Sequence, residues 1–286
     1  MEFADDELFK FDQDGAEPLP ASGAEGRVSN DGAEIWYASY GAGPAVILLH
    51  GGLGNAGNWG YQVPALVDAG YRVIVIDSRG HGRSTRDDRP FSYVLMSEDV
   101  LAVLDRLEIE QASVIGWSDG ACTALILADR HPERVSGVFF FACNMDATGT
   151  LEFHPTPVID RCFSRHRKDY QALSATPDGF EAFVADVGKM MQSEPNYTAA
   201  ELAAIKVPVT IAIGESDEFI RREHMDYLAE TIPDAEFTLI PGVSHFAPLQ
   251  RPALFNEEIL RFLKRGPDLR DRSRVPKADW RRHATR

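Results

Sequence analysis

Short, continuous apolar runs alternate along this chain with stretches whose apolar positions recur every three to four residues. The runs AVILLH (45–50), RVIVID (72–77), ASVIGW (112–117), VSGVFFFAC (135–143), VPVTIAIG (207–214) and AEFTLI (235–240) read as strands. Unbroken apolarity is the mark of a strand covered on both faces. SYVLMSEDVLAVLDRLEI (92–109), ACTALILADRH (121–131), RREHMDYLAETI (221–232) and ALFNEEILRFLKR (253–265) carry the helical period. A hairpin is predicted within 27–40, turning on Asn30-Asp31-Gly32. Strands alternating with helices imply an α/β fold: a mostly parallel sheet with helices on both faces.

Residues 146–205 break the rhythm. They hold Pro155, Pro157, Pro177 and Pro195, with helical fragments and no convincing core strand. They read as a helical lid inserted into a core made of 27–145 and 206–265. An insertion at the carboxyl edge of a parallel sheet sits where ligands bind. Its apolar residues, among them Phe153, Phe163, Phe183 and Met191, are read chiefly as packing onto the body, with an acyl or aryl pocket as the functional alternative.

Composition narrows the partners. A formal net charge of −15 over 286 residues argues against nucleic-acid binding, because phosphates would be repelled. The charge is uneven. Residues 1–26 read as an acidic tail and 266–286 as a basic one, both solvated. Three cysteines form no disulfide framework and fit reduced thiols. Neither a signal-peptide pattern nor an apolar run of membrane-spanning length is seen, so a cytoplasmic monomer or homodimer is expected, with no membrane partner. With no H-E-x-x-H or C-x-x-C motif, neither metal nor cofactor is expected.

The chemistry gathers at strand ends. In VIGWSDGAC (114–122), Ser118 stands between Gly116 and Gly120, after a strand and before a helix. A turn that sharp brings backbone very close, so glycine fits on either side. It lifts the hydroxyl above the sheet edge, beside the first amides of the helix, where negative charge is favoured. A serine nucleophile needs a base. His245, in PGVSHFAPLQRP after a strand, is the best placed of eight histidines. His50 and His81 also sit at strand ends, whereas His131, His154, His166, His224 and His283 read as surface. The carboxylate that orients a base is drawn from Asp217, with Glu215 and Glu218 close by and Asp146 as a rival. The order Ser118, Asp217, His245 suits such a sheet. The glycine-rich HGGLGNAGNW (50–59) and the Asp119 amide are the expected oxyanion donors. Trp59, Trp117, Asn144 and Phe246 are candidate pocket residues.

Together LLHGGLGNAGNW, VIDSRGHGRS, VIGWSDGA, IGESDEFI and PGVSHFAP resemble the α/β-hydrolase superfamily, in its lid-bearing serine esterase, lactonase and peroxidase-like branch. The resemblance implies an eight-stranded-type sheet, Ser118 as nucleophile, His245 as base and Asp217 as acid. It further implies oxyanion amides from Gly52 or Leu53 and from Asp119. It makes the DSRGHGRS segment a loop brace, through Asp77, Arg79, His81 and Ser84. The GWSD elbow is similar to that of valacyclovir-hydrolase-type amino-ester hydrolases. The expected reaction is hydrolysis of a small carboxylic ester, lactone or thioester. Alternatives are C–C bond hydrolysis, perhydrolysis, amide or aminopeptidase-type cleavage, and a non-catalytic receptor on the same fold.

Overall fold

The computed structural model describes residues 6–21 and 23–265. Among the described residues, eight strands form one sheet: β1 (Ala24–Asn30), β2 (Ala33–Tyr40), β3 (Ala45–Leu49), β4 (Arg72–Ile76), β5 (Ala112–Trp117), β6 (Val135–Phe141), β7 (Val209–Gly214) and β8 (Ala235–Ile240). Their order is β1-β2-β4-β3-β5-β6-β7-β8. β1 and β2 are antiparallel, as are β2 and β4, and every later pairing is parallel. β3 lies between β4 and β5, so the chain leaves β3 toward one side and returns on the other. Such a reversal opens a crevice at the carboxyl ends of the two central strands. The loop after β3 and the turn after β5 both open into it.

Ten α-helices among the described residues complete the fold: α1 (Leu8–Asp14), α2 (Gln62–Asp68), α3 (Tyr93–Arg106), α4 (Asp119–Arg130), α5 (Pro157–Leu173), α6 (Phe180–Ser193), α7 (Ala199–Ala204), α8 (Arg222–Thr231), α9 (Ala247–Gln250) and α10 (Pro252–Arg265). Alternation along the strands divides the core into two layers. Ile47, Ile74 and Val114 face one layer with Val103 of α3, Leu125 of α4 and Leu228 of α8. Val46, Leu48 and Ile115 face the other with Leu66 of α2 and Phe255 and Ile259 of α10.

Between β6 and β7 the stretch 146–205 carries α5, α6 and α7 and no strand. Thr156 starts α5 by accepting from Ile159 N at 3.2 Å, with Pro157 in its first turn. α6 is tied to the body at its middle and at its carboxyl end. Asp186 pairs with Arg86 at 2.7 Å, and Glu194 accepts from Tyr93 N at 3.0 Å at the start of α3.

The acidic amino-terminal segment is not a solvated tail over its described residues. Leu8 and Phe11, three residues apart, share one face of α1 and are buried in the second core layer. The acidic residues occupy the remaining faces, which is why charge alone misreads the segment. The basic segment 266–286 lies outside the described residues. No helix among the described residues is long and apolar enough to cross a membrane.

Candidate active site

Ser118 sits in the turn between β5 and α4 with φ 54°, a left-handed conformation that non-glycine residues seldom adopt. Such a backbone costs roughly 1–3 kcal/mol and persists where its surroundings enforce it. The enforcement comes from close backbone approach. A Cβ on Gly116 would strike the carbonyl of Gly120, and one on Gly120 would strike the carbonyl of Leu49 at the end of β3. Ser118 N donates to Phe141 O at 2.8 Å, fixing the turn to β6. The Asp119 amide belongs to the first turn of α4, where N–H groups lack intrahelical acceptors.

Across the crevice, the loop after β3 is held by His50. Its Nδ1 lies 2.8 Å from Gly51 O, and its Nε2 accepts from Ser78 N at 3.0 Å. Burial keeps this imidazole below its ordinary pKa, so it serves as a neutral bridge. Leu53 follows with φ 64°. A Cβ on Gly52 would meet the Met191 methyl at 2.5 Å and Asp119 Oδ2 at 2.6 Å, so a side chain there would have to push both aside. Asp77 Oδ1 accepts from Ala56 N at 2.6 Å and Oδ2 from Arg83 N at 2.8 Å. Arg79 grips Asp99 through two bonds of 2.9 and 2.6 Å, both side chains buried.

His245 lies after β8, and its Nδ1 is 2.9 Å from Asp217 Oδ2. Asp217 Oδ1 accepts from Phe219 N and Ile220 N, each at 2.9 Å. The carboxylate is therefore fixed from both oxygens. Burial opposes protonation of His245, but the Asp217 charge and hydrogen bond outweigh it, and the pKa stands raised. Of the other acids considered, Glu218 accepts from His245 N at 2.9 Å, Glu215 accepts from Gly242 N, and Asp146 lies 4.0 Å from His224 instead.

A cavity of about 580 Å³ joins these parts. Its walls include Gly52, Leu53, Ser118, Asp119 and His245, together with the expected Trp117, Asn144 and Phe246. The inserted helices α5 and α6 contribute Phe163, Val184, Val187 and Met191. Trp59 does not line it. Its indole is fully buried between Trp117 and Phe255, because the turn Ala56–Trp59 folds back onto the core. His166 and His224, which read as surface from their helical context, are buried too. His166 shares the inward face of α5 with Ile159, Cys162 and Tyr170, and burial drives its pKa down to about 3. His131 is half-buried and His154 exposed, while His283 lies outside the described residues.

Two features have no local signal in the sequence. Asp119, which lines the cavity, offers more than an amide: its carboxylate has Oδ1 accepting from Tyr93 Oη at 2.8 Å and Oδ2 buried without a partner. Burial raises its pKa to about 6, against the opposing pull of the Tyr93 bond and His245. Tyr93 begins a helix 25 residues upstream of Ser118, and nothing nearby in the chain foretells their meeting. Among the described residues, no group of three or more His, Cys, Asp or Glu could hold a metal ion.

The chain belongs to the alpha/beta hydrolase fold family, whose model matches residues 44–190. Its relatives in that family are hydrolases of several kinds. It is 26% identical over 263 residues to the serine hydrolase BPHL of Mus musculus, covering 87% of this chain and 90% of that one. It is 27% identical over 270 residues to the 2-hydroxy-6-oxo-6-phenylhexa-2,4-dienoate hydrolase of Comamonas testosteroni, covering 80% and 91%. Among solved structures it is similar to Est816, described as an N-acyl homoserine lactone degrading enzyme. That match has a TM-score of 0.64 and 29% identity, covering 83% of this chain and all of the other.

Proposed function

We propose that the protein is a serine hydrolase of small carboxylic esters, working through an acyl-enzyme on Ser118. The supporting observation is the 2.9 Å bond from His245 to a fully engaged Asp217, on the wall of the cavity that Ser118 also lines. His245 takes the Ser118 proton as the hydroxyl attacks the carbonyl. Asp217 holds the imidazole with Nε2 free for that transfer and stabilises the imidazolium that forms. The tetrahedral oxyanion is received by the Asp119 amide and by an amide at Gly52 or Leu53. His245 then protonates the leaving alcohol, and water, activated by the same base, releases the acid. Ser118→Ala is expected to abolish p-nitrophenyl acetate hydrolysis and fluorophosphonate labelling in a folded protein. Retained turnover would refute the assignment.

The orphaned Asp119 oxygen favours one substrate group over others. An ionised carboxylate beside a forming oxyanion opposes it unless the substrate brings a compensating positive charge. An acyl group bearing an ammonium near the carbonyl supplies that charge and a donor for Oδ2. Amino-acid esters should thus be cleaved faster than neutral esters of equal size, and Asp119→Asn should erase the difference. A panel pairing esters with lactones, thioesters, amides and a C–C substrate separates this reading from the other reactions the machinery allows.

A further inference from the structure

The loop that carries His245 is held by side chains at three successive amides. Ser244 N donates to Gln250 Oε1 at 2.7 Å, His245 N to Glu218 Oε2 at 2.9 Å, and Phe246 N to Ser244 Oγ at 3.2 Å. The His245 carbonyl accepts from Trp117 Nε1 at 2.8 Å. Gln250 is the one support whose orientation is ambiguous by itself. A primary amide presents an acceptor at one end and donors at the other. Turned over, it would point NH₂ at the Ser244 N–H and break the bond.

Asp6 removes that ambiguity. Its Oδ2 accepts from Gln250 Nε2 at 2.8 Å. A carboxylate only accepts, so the amide nitrogen must face Asp6 and the oxygen must face Ser244. Asp6 is itself fixed. Its Oδ1 accepts from Leu8 N at 3.0 Å at the start of α1, Glu7 N donates to Gln250 O at 2.7 Å, and Leu8 and Phe11 anchor the helix in the core. We infer that Asp6, 244 positions from Gln250 in sequence, is a positioning residue for His245, acting through the Gln250 amide and the Ser244 backbone. The amino-terminal segment is on this reading a functional part of the site and not an appendage. The inference rests on His245 being the base proposed above.

The test uses full-length protein and two variants. Asp6→Asn keeps the shape and the bond to Leu8 N but sets a donor against Gln250 Nε2, so the Gln250 amide turns over. Asp6→Asn combined with Gln250→Glu reverses the polarity of the bond between positions 6 and 250. The new amide at position 6 then donates, and the new carboxylate at position 250 accepts from it and from Ser244 N. The single variant should lower kcat on a p-nitrophenyl ester about 10- to 100-fold with KM nearly unchanged, the size expected of a small misplacement of a catalytic group. The double variant should recover it. The downfield proton resonance of His245 Nδ1–H, followed in a Ser118→Ala background, should broaden in the single variant and sharpen again in the double. Wild-type kcat and an unaltered resonance in Asp6→Asn would overturn the inference. So would a loss the double variant fails to restore. Because the resonance needs no turnover, it reads the positioning even if ester hydrolysis itself is the wrong reaction.

Discussion

Tyr93 donates its hydroxyl to one oxygen of Asp119 at 2.8 Å, while the other oxygen is buried with no donor. The carboxylate is thus half satisfied. Burial raises its pKa from 3.8 to about 6, so the folded state binds this proton more tightly than the unfolded chain does. Stability contributed by the protonated form is present below pH 3.8 and is lost as pH rises through 6, a decline of roughly 3 kcal/mol from this group. Asp119→Asn should flatten that decline, read as thermal midpoints at pH 4 and pH 8. Tyr93→Phe should steepen it and cost about 1–3 kcal/mol, because both oxygens then lack donors; urea midpoints across the same range would show it.

With His245 as the proposed base, its pKa should govern rate in the opposite sense. The base must be neutral to accept a proton, and its pKa stands above 6.5. kcat/KM should therefore rise with pH through a limb lying above 6.5. The stability that protonated His245 contributes is present below that value and fades as pH climbs through the raised pKa. Asp217→Asn removes the main force raising it. Burial then prevails, and the limb should move to lower pH while kcat falls on the order of ten-thousandfold. A pH–rate profile of the variant measures both.

Gly120→Ala tests the elbow without touching a reactive group. The added carbon would meet the carbonyls of Leu49 and His50, which are backbone and cannot swing aside. Separating β3 from α4 should cost at least about 3 kcal/mol, the upper range for overpacking. Equilibrium unfolding reads the loss. A folded, fully active variant would show that the close approach is dispensable.

Arg79 and Asp99 form a buried pair linking α3 to the loop after β4, and Arg79 also donates to Asn30 O and Asp31 O in the hairpin turn. Asp99→Asn leaves the guanidinium without its counter-charge. Removing one partner of such a pair costs about 3–5 kcal/mol, so the melting temperature should drop sharply while any surviving folded fraction keeps its KM.

Much of this architecture is legible in the chain. ASVIGW is β5 to the residue, and RVIVI within RVIVID is β4, because unbroken apolar runs find their stable home inside a sheet covered on both faces. The elbow is legible because its two glycines answer a steric demand that adjacent residues create. What the chain conceals is of another kind. α1 is hidden by its own charge, although Leu8 and Phe11 carry helical spacing. His166 reads as surface, yet 159, 162, 166 and 170 fall on one stripe of α5. The Asp6–Gln250 and Tyr93–Asp119 bonds join residues far apart in sequence, and no local pattern records such meetings.

β6 and β7 are neighbours in the sheet, with Phe141 opposite Ala212. Because the two run parallel, the excursion leaves β6 at the carboxyl edge of the sheet and enters β7 at the amino edge, at Val209 opposite Val138. A detour between endpoints fixed by two neighbouring strands can lengthen, shorten or be exchanged at small entropic cost, since closure grows only logarithmically with length. The inserted helices and the crevice are consequently separable parts: the strand ends can stay as they are while evolution, or an engineer, swaps the roof above them.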